Sequence, residues 1–290
     1  MAEIDPRKMA LQIAGLRANE THLPENERVF QDPYAEYFFP DEIRELFQDS
    51  NRVKAELQKY EQMMPGVNGA IVARIKFIDE CLLELMANGL KQVVIIGAGY
   101  DTRSYRLPGV KENLKVFEVD HPDTQAVKAE KVKSIFGMLP NHICYVPIVF
   151  GKESLSDKLS ECGYNKGLKT LFIVEGLLMY IPPPAVENLL AFITKDSGPE
   201  SAIVADYFDT TVVEGTSPLK EAIVLRQFVE NEGTSLKFGI QAGNDEAFFK
   251  QCGFRQVYCV SAAACKDKFF TNDSRNRTVS PMFNFVYAIK

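Results

Sequence analysis

"VVIIGAGYDTRSYRLPG", residues 93–109, sets four β-branched residues against a glycine pair and then a run of charge. A continuous apolar run this short, closed by Gly97-Ala98-Gly99, has the form of a buried strand that delivers the chain into a tight turn. Ahead of it, "GAIVARIKFIDECLLELMANG" (residues 69–89) spaces Ile71, Ile75, Ile78, Leu82 and Leu85 three and four apart, as an amphipathic helix does, and stops at Asn88-Gly89. Behind it, the strand candidates "LKVFEVD" (114–120), "ICYVPIVF" (143–150) and "KTLFIVEGLLMYI" (169–181) alternate with the helix candidates "PDTQAVKAEKVKSIFGML" (122–139) and "SLSDKLSECG" (154–163).

Apolar strands separated by helix-length segments predict a parallel sheet covered on both faces, the doubly wound α/β arrangement. A helix after Pro182-Pro183-Pro184, a fifth strand in "ESAIVADYF" (200–208), and a helix, Cys-Gly break and sixth strand in "NDEAFFKQCGFRQVYCV" (244–260) continue the rhythm. The closing "PMFNFVYAIK" (281–290) is strongly β-prone, and no helix is expected between it and the sixth strand, so it is placed antiparallel in the sheet. Residues 1–67 read as a helical N-terminal cap segment and 68–290 as the core. An insertion at about 209–243 carries the helix "SPLKEAIVLRQFVENEG", and both extra segments are expected to cover the open end of the sheet.

At 290 residues the chain is long enough for one large domain with a well-buried core, and 46% hydrophobic against 25% charged residues argues against disorder. The net charge of −6, with basic residues dispersed, excludes the electrostatic footprint of a nucleic-acid partner. No apolar run approaches a membrane span and the N-terminus lacks a signal-like apolar core, so a cytoplasmic protein without a membrane partner is expected. Six cysteines form no CxxC pair and three histidines share no ligand spacing, so no metal is expected.

In a doubly wound sheet the turn after the first strand faces the ligand crevice, where glycines let the backbone approach a bound molecule. Here Thr102 stands where a dinucleotide fingerprint has its third glycine, and Asp101 would repel a pyrophosphate. An NAD(P)-dependent oxidoreductase is therefore the weaker reading. A glycine turn carrying an aspartate fits a phosphate-free, cationic cofactor, and S-adenosylmethionine, with its sulfonium and ammonium, is one. Glu118 and Asp120 end the second strand on the same side, and either suits the ribose hydroxyls; Asp120 lies nearer the carboxyl end where ligands bind. Glu175, followed by Gly176, closes the apolar run Leu171–Val174, and a carboxylate there calls for a ligand cation or an internal arginine. Arg74 is open to two readings, a clamp for the methionine carboxylate or a solvated arginine on its helix.

The strings "KQVVIIGAGYDTRSYRL", "VFEVDHP" and "VEGLLMYI", in this order and spacing, resemble the leucine carboxyl methyltransferase family, as do "GLRANE…FQDPYAEYF", "ARIKFIDECL" and "FGIQAGNDEAFFKQCGF". The resemblance covers nearly the whole chain. It implies a class I methyltransferase fold, a Rossmann-like seven-stranded sheet with the last strand antiparallel and a helical cap, and S-adenosylmethionine as cofactor. Carried over by position, it implies cofactor roles for Arg74, Gly97, Asp120 and Glu175, a basic contact near Arg17, and a substrate-side place for Tyr180. One departure stands out: where the family has an Asp-Leu pair against the adenine, this chain has Val149-Phe150. Phe150 still suits the ring, but the exocyclic amine needs another acceptor, Glu153 or a backbone group, or the cofactor is held more weakly.

Methyl transfer from a sulfonium is an in-line displacement, so the protein chiefly aligns the acceptor and excludes water. A carboxylate acceptor is already ionised at neutral pH, whereas a phenol benefits from a base. No histidine or acid is placed beside the transferred methyl, which favours an acidic acceptor oxygen on a small molecule, with Arg103 and Arg106 as its candidate orienting groups. A protein substrate stays open, and so does a catalytically silent cofactor-binding protein.

Overall fold

The computed structural model describes residues 6–290; the reading of the first five residues as part of the helical segment lies outside them. Seven strands form one sheet: β1 Gln92–Ile96, β2 Lys115–Asp120, β3 Ile143–Pro147, β4 Thr170–Val174, β5 Ala202–Phe208, β6 Gln256–Ser261 and β7 Phe283–Ile289. Their spatial order is β3-β2-β1-β4-β5-β7-β6, with β7 antiparallel to both neighbours and the other pairings parallel. The sequence order reverses at β1, which lies between β2 and β4, and in such a sheet the ligand crevice opens at that point, beyond the carboxyl ends of the strands.

Period-two alternation divides each central strand between two cores. Val94 and Ile96 of β1, Phe172 and Val174 of β4, and Ile203 and Ala205 of β5 face one core, and Val93, Ile95, Leu171, Ile173, Ala202 and Val204 face the other.

The helices are α1 Pro6–His22, α2 Asp41–Phe47, α3 Ser50–Met63, α4 Val67–Ala87, α5 Arg103–Arg106, α6 Val110–Asn113 and α7 Pro122–Phe136. They continue as α8 Leu155–Glu161, α9 Pro183–Lys195, α10 Thr210–Glu214, α11 Lys220–Asn231, α12 Asp245–Gln251 and α13 Ala262–Phe269. The buried face of α9 (Val186, Leu189, Leu190, Ile193) packs into the first core, and that of α4 (Ile78, Leu82, Leu85) into the second. A sheet covered in this way positions its strand ends rigidly.

Three helices differ from expectation. The antiparallel placement of β7 holds, but α13 does separate β6 from β7; its N-terminus is capped by Ser261, whose hydroxyl accepts from the Ala264 N–H. The short helices α5 and α6 also follow the glycine turn directly, where no helix was expected.

Among the described residues no helix is long and apolar enough to cross a membrane, and no cluster of three or more histidine, cysteine or acidic side chains is placed to hold a metal.

Candidate active site at the switch point

Strand register brings the candidate residues to one edge. Ile96 lies beside Val119 and Ile95 beside Ile173, so Gly97–Gly99, Asp120 and Glu175-Gly176 all emerge at the carboxyl ends of β1, β2 and β4. The Gly97 and Ala98 N–H groups both donate to the Val119 carbonyl, at 2.9 and 3.1 Å, which folds the turn back over β2. Gly97 and Gly99 take the left-handed conformation, with φ of 72° and 45°, so a side chain at either would strain the turn. A Cβ at Gly99 would also lie 3.2 Å from Ala10 Cβ of α1, so the N-terminal helix rests directly on the turn.

Asp120 is half-buried, and its carboxylate accepts from the Gly99 N–H and, at 2.6 Å, from the His121 N–H. Burial raises its pKa, against the pull of these two N–H groups. The other ribose candidate, Glu118, is fully buried and paired with Lys128 Nζ at 2.7 Å, which leaves Asp120 as the acid that faces the crevice.

Glu175 lies between two guanidiniums: Oε1 accepts from Arg74 Nε at 2.9 Å and Oε2 from Arg103 Nη1 at 2.6 Å. Burial alone would push its carboxyl up; Arg103 and then Arg74 outweigh burial and hold it below the ordinary carboxylate range. Arg74 also donates through Nη1 to Asp206 Oδ2 at 2.7 Å, and the second Asp206 oxygen accepts from the Gly176 N–H at 2.6 Å. Among the described residues Arg74 donates hydrogen bonds from Nε and Nη1 and none from Nη2.

Asp101 accepts from the Arg103 backbone N–H at 2.7 Å and from its Nη1, so it braces the turn rather than standing open to a ligand. Arg103 also donates from Nε to Asp79 at 2.8 Å, and Arg106 forks onto the same carboxylate at 2.7 and 2.8 Å. Both arginines are buried among acids, and neither is free to orient a substrate. Arg17 donates to Asp32 at 2.7 Å and to the Tyr100 carbonyl, and Thr102 donates to the same Asp32 oxygen. This ties α1 and its following loop to the glycine turn.

Tyr180 sits in a short 3-10 turn just after β4, packed against the cluster that contains Met179, Phe30 and Phe208, with Asp206 and Arg74 near enough to act on its phenol. Burial drives that phenol well above its ordinary range, so it is a neutral donor. Val149 and Phe150 lie beyond the end of β3. The Val149 N–H donates to Glu153 at 2.8 Å, so Glu153 stands beside this loop, and Phe150 is 46% exposed.

The residues missed in the sequence are Asp32, Asp79 and Asp206. Asp206 interrupts an apolar strand just as Glu175 closes one, and Asp79 shares the apolar face of α4 with Ile75 and Leu82; both signals were present.

At the crevice, Arg17, Arg74, Arg103 and Arg106 face Asp32, Asp79, Asp101, Glu175 and Asp206, so one negative charge is left unbalanced before Asp120 is added. S-adenosylmethionine, with one carboxylate, an ammonium and a sulfonium, carries one net positive charge and no phosphate, and these residues fit it.

The ion pairs also set an acid limit. Asp101 is held at about 2 because Arg103 and Lys128 outweigh its burial. A carboxyl depressed in the folded state contributes stability above its unfolded value, and that contribution is lost as pH falls through the folded one. Relative to Asp101→Asn, the wild type should therefore show an advantage on the order of 2 kcal/mol at pH 5 that fades between about pH 4 and 2. Urea unfolding across that range measures it, and a difference that stays constant with pH would refute the assignment.

A sequence model of the leucine carboxyl methyltransferase family matches residues 10–194. The "Putative S-adenosyl-L-methionine-dependent methyltransferase YktD" of Bacillus subtilis (strain 168) is 31% identical over 255 residues, covering 87% of this chain and 82% of that protein. A relative of the same description from Mycolicibacterium gilvum (strain PYR-GCK) is 30% identical over 183 residues, 62% of this chain and 59% of its own length. Among solved structures, a "putative methyltransferase from Thermobifida fusca YX" superposes with a TM-score of 0.56 at 14% identity, covering 82% of this chain and 88% of that one, a likeness of fold. Matched across more than half its length, the chain belongs to the leucine carboxyl methyltransferase family.

Proposed function

We propose that this S-adenosylmethionine-dependent methyltransferase transfers its methyl group to a carboxylate or other acidic oxygen of a small molecule. The observation that carries the acceptor class is that each of the three histidines is engaged with another group, while the crevice carboxylates Asp120 and Glu175 already accept hydrogen bonds. His22 is paired with Glu36 at 2.6 Å, His121 caps α7, and His142 meets the Ser104 carbonyl at 2.9 Å. With Tyr180 held neutral, the acceptor has to arrive already ionised, as a carboxylate does.

When bound, the cofactor supplies a sulfonium methyl that passes to an oxygen lone pair as the carbon–sulfur pair returns to sulfur. The chain's own work is to hold and to exclude. Arg74 Nη2 takes the amino-acid carboxylate, Glu175 the ammonium and Asp120 the ribose hydroxyls; the Gly97-Ala98-Gly99 turn gives close backbone approach. Tyr180 orients the acceptor as a donor. The N-terminal helices up to about residue 67 and the insertion at about 209–243 cover the strand ends and exclude water. Their contacts support this role: Arg17 reaches Tyr100, and the Lys237 N–H donates to the Met179 carbonyl at 2.7 Å.

A second reading, a silent cofactor-binding protein, is favoured by Val149-Phe150, which leave the adenine amine without the family's carboxylate. Parallel calorimetric titration with S-adenosylmethionine, S-adenosylhomocysteine and NADH, followed by a turnover screen over small carboxylic acids and phenols, tests both. Binding of the two methionine derivatives with ester formation is expected. Turnover confined to phenols would overturn the acceptor class, and binding without turnover on any compound would favour the silent reading.

A further inference from the structure

We propose that Arg103 is a positioning residue for the amino-acid end of the cofactor, fixing the Glu175 and Asp101 carboxylates so that Glu175 presents an ordered oxygen edge to the ammonium. The proposal rests on the S-adenosylmethionine reading of the site.

Arg103 is 3% exposed and touches three carboxylates from three separate parts of the chain: Asp79 on α4, Asp101 in the glycine turn and Glu175 beyond β4. A guanidinium is planar and permanently charged, with five donors in a fixed fork, so one side chain can set the orientation of several acids together. Asp79 anchors the Nε edge and leaves Nη1 to bridge Asp101 and Glu175. Among the charges acting on Glu175, Arg103 opposes burial more strongly than Arg74 does. A Glu175 that took up a proton would lose its charge toward an ammonium ligand, so Arg103 controls a binding group that it does not itself share with the ligand. Arg74 cannot substitute, because its Nη1 is committed to Asp206.

Removing the guanidinium need not unfold the site. Asp79 keeps the fork of Arg106, Glu175 keeps Arg74, and Asp101 keeps the backbone N–H of residue 103. A purely structural role would therefore appear as lost stability with unchanged ligand affinity, whereas a positioning role also changes how affinity depends on pH.

The test is calorimetric titration of S-adenosylmethionine and S-adenosylhomocysteine at about pH 6 and pH 8 into wild type, Arg103→Gln, Arg103→Lys, Glu175→Gln and the Arg103→Gln/Glu175→Gln double variant, with melting curves alongside. Wild-type affinity should be flat across this range, because Glu175 stays ionised. Arg103→Gln should weaken binding about 10-fold at pH 8 and about 100-fold at pH 6, where Glu175 begins to take a proton. Arg103→Lys should recover most of the affinity at pH 8 and less at pH 6. Glu175→Gln should bind weakly with no pH dependence, and adding Arg103→Gln to it should cost little more. If Arg103→Gln is insoluble, Arg103→Lys carries the test through its larger loss at pH 6. Lower melting temperature with wild-type affinity at both pH values, or an equal loss of affinity at both, overturns the proposal. A wild type that binds neither methionine derivative overturns the cofactor reading itself, a distinguishable failure.

Discussion

Arg74→Met is expected to lower unfolding stability by about 3–5 kcal/mol at pH 7, because it removes one side of a buried ion pair and leaves the other behind. The reason lies in the unequal partners of its two acids. Glu175 retains Arg103, but Asp206 is fully buried in β5 and would keep only the Gly176 N–H. A buried carboxylate without its cation takes up a proton instead. Burial already raises the Asp206 carboxyl, with Arg74 the largest opposing charge, so without Arg74 its folded-state value stands further above the unfolded one, and that difference favours the fold at low pH and is lost as pH rises through the folded value. The variant should accordingly be more stable at pH 5 than at pH 8, and Asp206→Asn placed in the same chain should recover part of the loss. Urea midpoints at both pH values and for both variants check this. A loss below about 1 kcal/mol would mean that Asp206 is solvated, and the ion network would not be the structural core of the site.

The parts of this site that the sequence made legible are those written in local pattern. β1, β2, β4 and β5 are apolar runs whose alternation matches their two-sided burial, and the switch point follows from strands that alternate with helices. Gly97, Asp120 and Glu175 could be found because each stands immediately where a strand ends. The pairing of Asp79 and Glu175 with Arg103 could not be read, since they lie 24 and 72 residues from it, and spacing of that kind carries no periodic signal. For the same reason the Thr-Arg-Ser-Tyr-Arg tail after the turn is left unexplained by the sequence, apart from Arg103 and Arg106 as candidate orienting groups. It is the junction where α1, α4 and β4 exchange charge. α13 escaped notice because "AAACKDKF" is short, so its only strong marker is the Ser261 cap. The antiparallel placement of β7 was reached from an expected missing helix that is in fact present.

The cofactor reading meets its most direct trial at Asp120. Asp120→Ala should weaken S-adenosylmethionine binding by roughly 100-fold, since a carboxylate that accepts from both ribose hydroxyls contributes two charge-assisted hydrogen bonds, together about 3 kcal/mol. Stability should respond quite differently. Burial already raises the pKa of this carboxyl, and its bonds within the fold are those it accepts from the Gly99 and His121 N–H groups, both close to solvent at the crevice. The melting temperature should therefore shift by only a few degrees while affinity collapses, the reverse of the Arg74 pattern. Asp120→Asn keeps one acceptor oxygen and exchanges the other for a donor, so its loss should be intermediate, about 10-fold. S-adenosylhomocysteine carries the same ribose and should lose affinity in parallel, which separates Asp120 from residues that read the sulfonium charge. Unchanged affinity in Asp120→Ala would remove this acid from the ribose role and leave the β2 end of the crevice without a function, since Glu118 is already committed to Lys128.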